Sequence, residues 1–269
     1  MNRGRRRLAM VVLLVVLAAL LGMLPRAAGT YDRQFRDAPG ARPSARFLLG
    51  TDELGRDRLA RLVLGSGVSL ALAPAAALLS VALAAVVGGG AGLAGGWVDR
   101  AMAAGTDLFL SLPWLFLLIS VRAWLPLNVS PWASVLVTFL LLALLGWPAT
   151  ARVVRACAAS LRNSDLLLQA RACGCGGARL FLVHVLPNLR AVLRAQFWIA
   201  VPVFILAEAN LGMLGLGVAE PLPSWGNLLR DLEDYDGAIQ RPERLAPLLL
   251  LVVVMSLLQM LFEREDFSA

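Results

Sequence analysis

Residue types that do chemistry are sparse in this chain, and the absences narrow its function. It has 269 residues and no lysine, so all 25 of its basic side chains are arginines. A phosphate-binding loop of the G-x-x-x-x-G-K type needs its lysine, so nucleotide binding by that motif is excluded. A single histidine, His184, rules out H-E-x-x-H zinc sites and histidine-rich ligand sets. Ser66, in Gly65-Ser66-Gly67, could join His184 in nucleophilic chemistry, but the spacing is not that of a G-x-S-x-G elbow. Cys173 and Cys175 form a Cys-x-Cys pair near Cys157. Such a pair can hold a metal or cycle between redox states, but on a cytoplasmic face reduced, small, semi-apolar cysteines are the favoured reading. No residue is assigned a catalytic or metal-binding role.

The elements that must carry these residues are apolar. The chain is 59% hydrophobic with a mean hydropathy of +0.73, values that point to an all-α, polytopic membrane protein. A bilayer core about 30 Å thick needs about 20 apolar residues per helical crossing. Six runs qualify: Leu8–Leu24, Gly67–Gly95, Ala101–Val121, Trp132–Trp147, Arg194–Gly217 and Leu245–Phe262. Backbone polar groups in lipid must be satisfied within the segment, so these are helices. The first run follows a basic leader, yet Leu24-Pro25-Arg26 offers no small-x-small cleavage site, and a retained anchor over residues 1–25 is favoured. Residues 26–64 then form an external segment, 65–262 the main transmembrane domain, and 263–269 a tail. Gly88-Gly89-Gly90, Gly92 and Gly95-Gly96 predict close helix packing rather than a nucleotide loop. Trp97, Trp124, Trp132 and Trp147 read as interfacial anchors.

Charge sets the expected orientation. Arg3, Arg5, Arg6 and Arg7 place the N-terminus in the cytoplasm, and six crossings return the C-terminus there. The net charge of +7 is thus explained by span ends, and nucleic acid is not expected as a partner. The same count places Ser66 and His184 near opposite faces, against an intramembrane protease. The segment from Val218 to Arg244 carries Glu220, Asp231, Glu233, Asp234, Asp236 and Glu243 against three arginines, as an external loop should. The segment from Arg26 to Arg61 holds eight arginines and five acids, which runs against the rule for an external loop.

Asn163–Asn188 is a polar island between apolar blocks. Asn163 or Ser164 can cap a short helix, with Asp165 favourable at its positive end. Gly174 suits a left-handed helix terminus, and Pro187 interrupts hydrogen bonding where the chain re-enters the membrane. The expected product is a compact knob joined to the fifth span. Glu208 lies inside that span, where a charge is expensive. Two readings stand for it: it lines a translocation path with Asn210, or it is hydrogen-bonded and structural.

Several segments resemble one family. Gly174 followed by Leu186-Pro187 resembles the coupling loop of ABC-importer permeases. Leu49-Gly50-Thr51-Asp52-Glu53-Leu54-Gly55-Arg56-Asp57 is similar to the LGTDxxGRD signature of the dipeptide/oligopeptide/nickel permease subfamily. Ala207-Glu208-Ala209-Asn210-Leu211, Leu214-Gly215-Leu216-Gly217 and Pro223-Ser224-Trp225-Gly226-Asn227 resemble a further signature of that subfamily. Asp107 with Pro113, and His184 to Asn188, also fit, and the matches run in order from about residue 47 to 230. The chain departs at two places: Leu168-Gln169-Ala170 stands where the loop has Glu-Ala-Ala, and Phe47-Leu48 where His-Pro is usual.

The resemblance implies a MetI-like permease core in the bacterial inner membrane. It also implies a second permease, two ATPase subunits that bind ATP and magnesium, and a solute-binding protein, with no cofactor in this chain itself. The implied coupling residues are Gln169, Ala170, Arg171, Gly174, Val185, Leu186 and Pro187. The missing glutamate also leaves room for a degenerate, non-transporting permease.

Overall fold

The computed structural model describes residues 3–126, 129–233 and 240–262. The expected tail 263–269, and Asp234 and Asp236, lie outside them. In order come α1 (Arg3–Ala28), α2 (Arg58–Ala94), α3 (Gly96–Leu110), α4 (Trp114–Trp124), α5 (Pro131–Leu161) and α6 (Asp165–Ala172). The chain continues through α7 (Gly177–Arg179), a π-helical turn (Leu180–Val185), α8 (Leu186–Asn188), α9 (Arg190–Met213) and α10 (Trp225–Arg230). A 3-10 turn (Pro242–Leu245) then leads to α11 (Ala246–Phe262). No strand occurs among the described residues; two isolated antiparallel bridges, Gln34 to Arg56 and Thr51 to Asp57, are the only extended pairing there.

Five helices are long and apolar enough to cross a membrane, and six if the bent α3–α4 pair is one span. Three expected spans need correction. Ala101–Val121 is not one rod: α3 and α4 meet at 82°. Pro113 lies at that break, where it supplies no N–H and disfavours helical geometry at Leu112. The fourth span does not stop at Trp147, because α5 runs on to Leu161 and carries Arg152 and Arg155 on ordered helix. The fifth ends at Met213 rather than Gly217. There Gly215, at φ +73°, donates to the Gly212 carbonyl, and Leu216 donates to that of Leu211, a glycine-closed helix end.

The chain divides into two compact units. The first comprises residues 1–73, 122–139 and 202–269; the second comprises 74–121 and 140–201. The chain passes between them four times, and two of those passages fall at Pro74 inside α2 and Pro202 inside α9, where each ring removes a backbone donor. Within the second unit, α2 and α5 touch backbone to backbone. A Cβ on Gly88 would stand 2.5 Å from the Ala151 carbonyl oxygen, and one on Gly92 would strike that of Arg155. Gly88 and Gly92 therefore do pack helices, as the spacing predicts, whereas Gly90 and Gly96 have nothing within 4 Å of a Cβ. Arg155 also pairs with Asp99 at 2.7 Å.

Candidate functional site

The coupling-loop residues all fall in the second unit and the signature-motif residues all in the first. The polar island is built on a small apolar nucleus. Val154 and Ala158 of α5, Leu167 of α6, Leu180 and Val185 of the π turn, and Leu189 are at most 2% exposed. Cys157, Ala170, Cys175, Phe181 and Leu193 pack around them. Two of the three cysteines thus serve as small apolar fillers, while Cys173 is exposed. All three are free thiols, and no group of three or more metal-ligating side chains occurs among the described residues.

Helix α6 is closed at its C-terminus by a Schellman motif. Gly174, at φ +79°, donates to the Arg171 carbonyl at 2.9 Å, and Cys175 donates to that of Ala170 at 3.0 Å. A Cβ on Gly174 would meet nothing within 4 Å, so the backbone angle alone requires glycine. The expected side-chain cap at the other end is absent. Ser164 occupies the N-cap position with extended ψ, but its hydroxyl is buried and finds no partner among the described residues. Its carbonyl instead accepts from Leu167 and Leu168.

Pro187 does not stop the chain. It sits in the first turn of α8, directly after the π-helical turn, and Asn188 donates its side-chain amide to the His184 carbonyl at 2.7 Å. A proline that donates nothing fits a widened turn whose leftover carbonyl is met by a side chain. Gln169, Arg171 and Gly174 are exposed, Ala170, Leu186 and Pro187 half-buried, and Val185 is buried in the nucleus. Leu166 and Leu168 stand out beside Gln169, each about half exposed.

In the first unit the signature residues form a belt around the start of α2. Gly50 and Gly55 have φ of +68° and +77°, and a Cβ on either would collide with the carbonyl oxygen of Ala41 or Phe35. The buried Thr51 hydroxyl donates to the Ala38 carbonyl and accepts from the Ala41 N–H. Asp52 accepts from the N–H groups of Leu54 and Arg56 and from Arg56 Nε at 2.6 Å. Asp57 accepts from the Leu59 N–H at 2.9 Å and so caps α2.

The belt is tied to the segment after α9 by ion pairs. Arg56 and Arg61 grip the two oxygens of Glu220 at 2.7 and 2.8 Å, and Arg58 reaches Asp231 at 3.2 Å. Partial burial raises the Asp231 carboxyl against the pull of Arg58 and Arg61, although its side chain is 45% exposed. Of the eight arginines between Arg26 and Arg61, Arg46, Arg56, Arg58 and Arg61 are ion-paired. Pro223 and Trp225 are buried. Trp225 Nε1 donates to Ser66 at 2.9 Å, Asn227 donates to the Val218 and Leu222 carbonyls, and Ser224 accepts from the Asn227 N–H. Gly226 lies so close to Gly212 that neither has room for a Cβ. Ser66 is thereby a structural acceptor, locked against an indole.

Glu208 is 0% exposed and accepts from Ser69 at 3.1 Å through Oε2, while its Oε1 is buried with no partner among the described residues; Asn210 is exposed. Glu208 and Asn210 thus do not share a face of α9.

Comparison with known proteins adds the deciding observation. Residues 80–264 match the family described as binding-protein-dependent transport system inner membrane component. The chain belongs to that family. It is a multi-pass membrane transport permease, of a family of transporters rather than enzymes. It is 37% identical over 246 residues to the di/tripeptide transport system permease protein DppC of Pseudomonas aeruginosa, covering 87% of this chain and 77% of that one. The nickel transport system permease protein NikC of Escherichia coli is 33% identical over 236 residues, covering 87% and 82%. The oligopeptide transport system permease protein OppC of Mycobacterium bovis is 34% identical over 223 residues, covering 83% and 74%.

Sequence reasoning missed two features of this permease. The pairing of Ser66 and Ser69 with Trp225 and Glu208 bridges more than a hundred residues of chain, although their three-residue spacing marks one helix face. Arg122, fully buried, is a lone charge in an apolar run and could have been flagged as Glu208 was.

Proposed function

We propose that this permease is one of two membrane subunits of an ABC importer for peptides or a related small solute in the bacterial inner membrane. Each of the three relatives above is named as a permease of a transport system, two of them for peptides and one for nickel. In this reading residues 163–188 face the cytoplasm and dock on an ATPase subunit. ATP and magnesium are held by the ATPases, a solute-binding protein delivers the cargo, and this chain performs no chemistry.

The observation that carries the reading is the construction of the island. A short helix with a glycine-closed end presents Gln169, Arg171, Leu166 and Leu168 outward, while Leu167 roots it in the nucleus shared with α5 and the start of α9. A contact surface welded to long apolar helices transmits a push; a floppy loop absorbs it. Gln169 in place of an acid removes one charge from the contact and leaves its apolar part.

The docking is tested by a single cysteine at Gln169 in a background with Cys157, Cys173 and Cys175 replaced by serine. Co-expressed with its ATPase and labelled at that cysteine with a maleimide-benzophenone reagent, this protein should photo-cross-link to the ATPase in a yield that changes with ATP. Absence of any adduct, together with failure of the ATPase to co-purify, would favour a non-transporting permease instead.

A further inference from the structure

The permease holds a guanidinium with no counter-charge among the described residues. Arg122, in the last turn of α4, is 1% exposed. Its Nη2 approaches the Ser134 hydroxyl at 3.4 Å and the Gly217 carbonyl at 3.5 Å, both at the long limit of a hydrogen bond. Nε and Nη1 are buried with no partner among the described residues, and no carboxylate there lies within ion-pair distance.

Ser134 is itself committed. It donates to the Gly217 carbonyl at 3.2 Å and accepts from the Ala219 N–H at 3.1 Å. The guanidinium is thus leaned against a fixed polar wall by one nitrogen and, among the described residues, left unsatisfied at the other two. The negative end of α4 favours a cation in its last turn, but that field fills no hydrogen-bond vacancy. A buried arginine with no carboxylate beside it is costly, and such groups inside membrane proteins mark pathways or ligand sites.

We infer that Arg122 is the binding point for the carboxylate of the transported solute. The inference rests on the importer reading above and narrows its cargo. A planar guanidinium with free donors matches a carboxylate and repels a divalent metal ion. Of the cargo classes named among the relatives, the peptide class carries such a group and nickel does not. A surface awaiting a second subunit would stand exposed in the lone chain, and Arg122 does not. A pathway site that opens and closes is occluded in one of its states, as Arg122 is here.

The test uses the complete transporter in proteoliposomes, with trialanine and trialanine amide as competing solutes. Unmodified protein should prefer the free carboxylate by at least about tenfold in uptake, and Arg122→Gln should bring that ratio close to one. An unchanged preference in Arg122→Gln would overturn the assignment, as would no preference in the unmodified protein. If Arg122→Gln fails to assemble, Arg122→Lys keeps the charge without the fork and must show a reduced ratio; an equal ratio overturns the assignment. Failure of the importer reading is distinguishable, because unmodified protein would then take up neither compound with ATP, and the Arg122 assignment falls with it.

Discussion

At the scale of single residues, the belt depends on carboxylates that organise backbone. Asp52 satisfies two N–H groups and one guanidinium nitrogen at once. Replacing it with alanine leaves Arg56 half-unpaired in a part-buried place, and we expect a loss of roughly 2–4 kcal/mol, read as a lower melting midpoint in detergent. Asp231 behaves oppositely. Its folded pKa is raised by burial, so folding favours the neutral form. Its contribution to stability is present below the ordinary aspartate value of about 3.9 and is lost as pH rises through the raised one. Asp231→Asn should therefore match or exceed the unmodified melting midpoint at pH 7.5, with the difference closing as pH falls toward about 4. A variant less stable at neutral pH than at acid pH, relative to the parent, would contradict this. Asp52 could be read as part of a motif, but neither its donors nor the partners of Asp231 could be read from spacing. Arg58 and Asp231 meet across 173 residues of chain.

At the scale of elements, glycine is required for two different reasons that substitution can separate. Gly88 is pinned by the Ala151 backbone, whereas Gly90 has open space around its missing side chain. Gly88→Val should force α2 and α5 apart and cost more than about 2 kcal/mol or abolish accumulation in the membrane, while Gly90→Val should be tolerated. Expression and melting of the two variants side by side decide it. Gly174 and Gly176 both have open space, but only Gly174 is in the left-handed region. Gly174→Ala should cost about 1 kcal/mol and Gly176→Ala much less. The small-residue stripe and the left-handed terminus were legible because each is a local demand on backbone. The break between α3 and α4 was not, because an average over apolar residues passes smoothly through Leu112-Pro113. The extension of α5 to Leu161 was hidden for the complementary reason: beyond Trp147 its residues turn amphipathic, and the nucleus that buries Val154 and Ala158 comes from segments further along the chain.

At the scale of the whole molecule, the two units hold different parts of the expected machinery. The second holds the island and its nucleus; the first holds the belt, Glu208 and Arg122. The span count, the family and the presence of a helix–turn knob were all open to sequence reasoning, since they rest on hydropathy and on motif order. The structural role of the signature motif was not, because it lies in donors and acceptors that converge only on folding. The central claim is that the Asn163–Asn188 island transmits the work of an ATPase to the helices. It is tested most directly by ATP-dependent solute uptake in proteoliposomes containing Gly174→Pro. Proline cannot adopt the φ of +79° found there, and it removes the N–H that meets the Arg171 carbonyl. Uptake should fall at least about tenfold while the complex still assembles with its ATPase. Uptake equal to that of the unmodified protein, with assembly intact, would contradict the account.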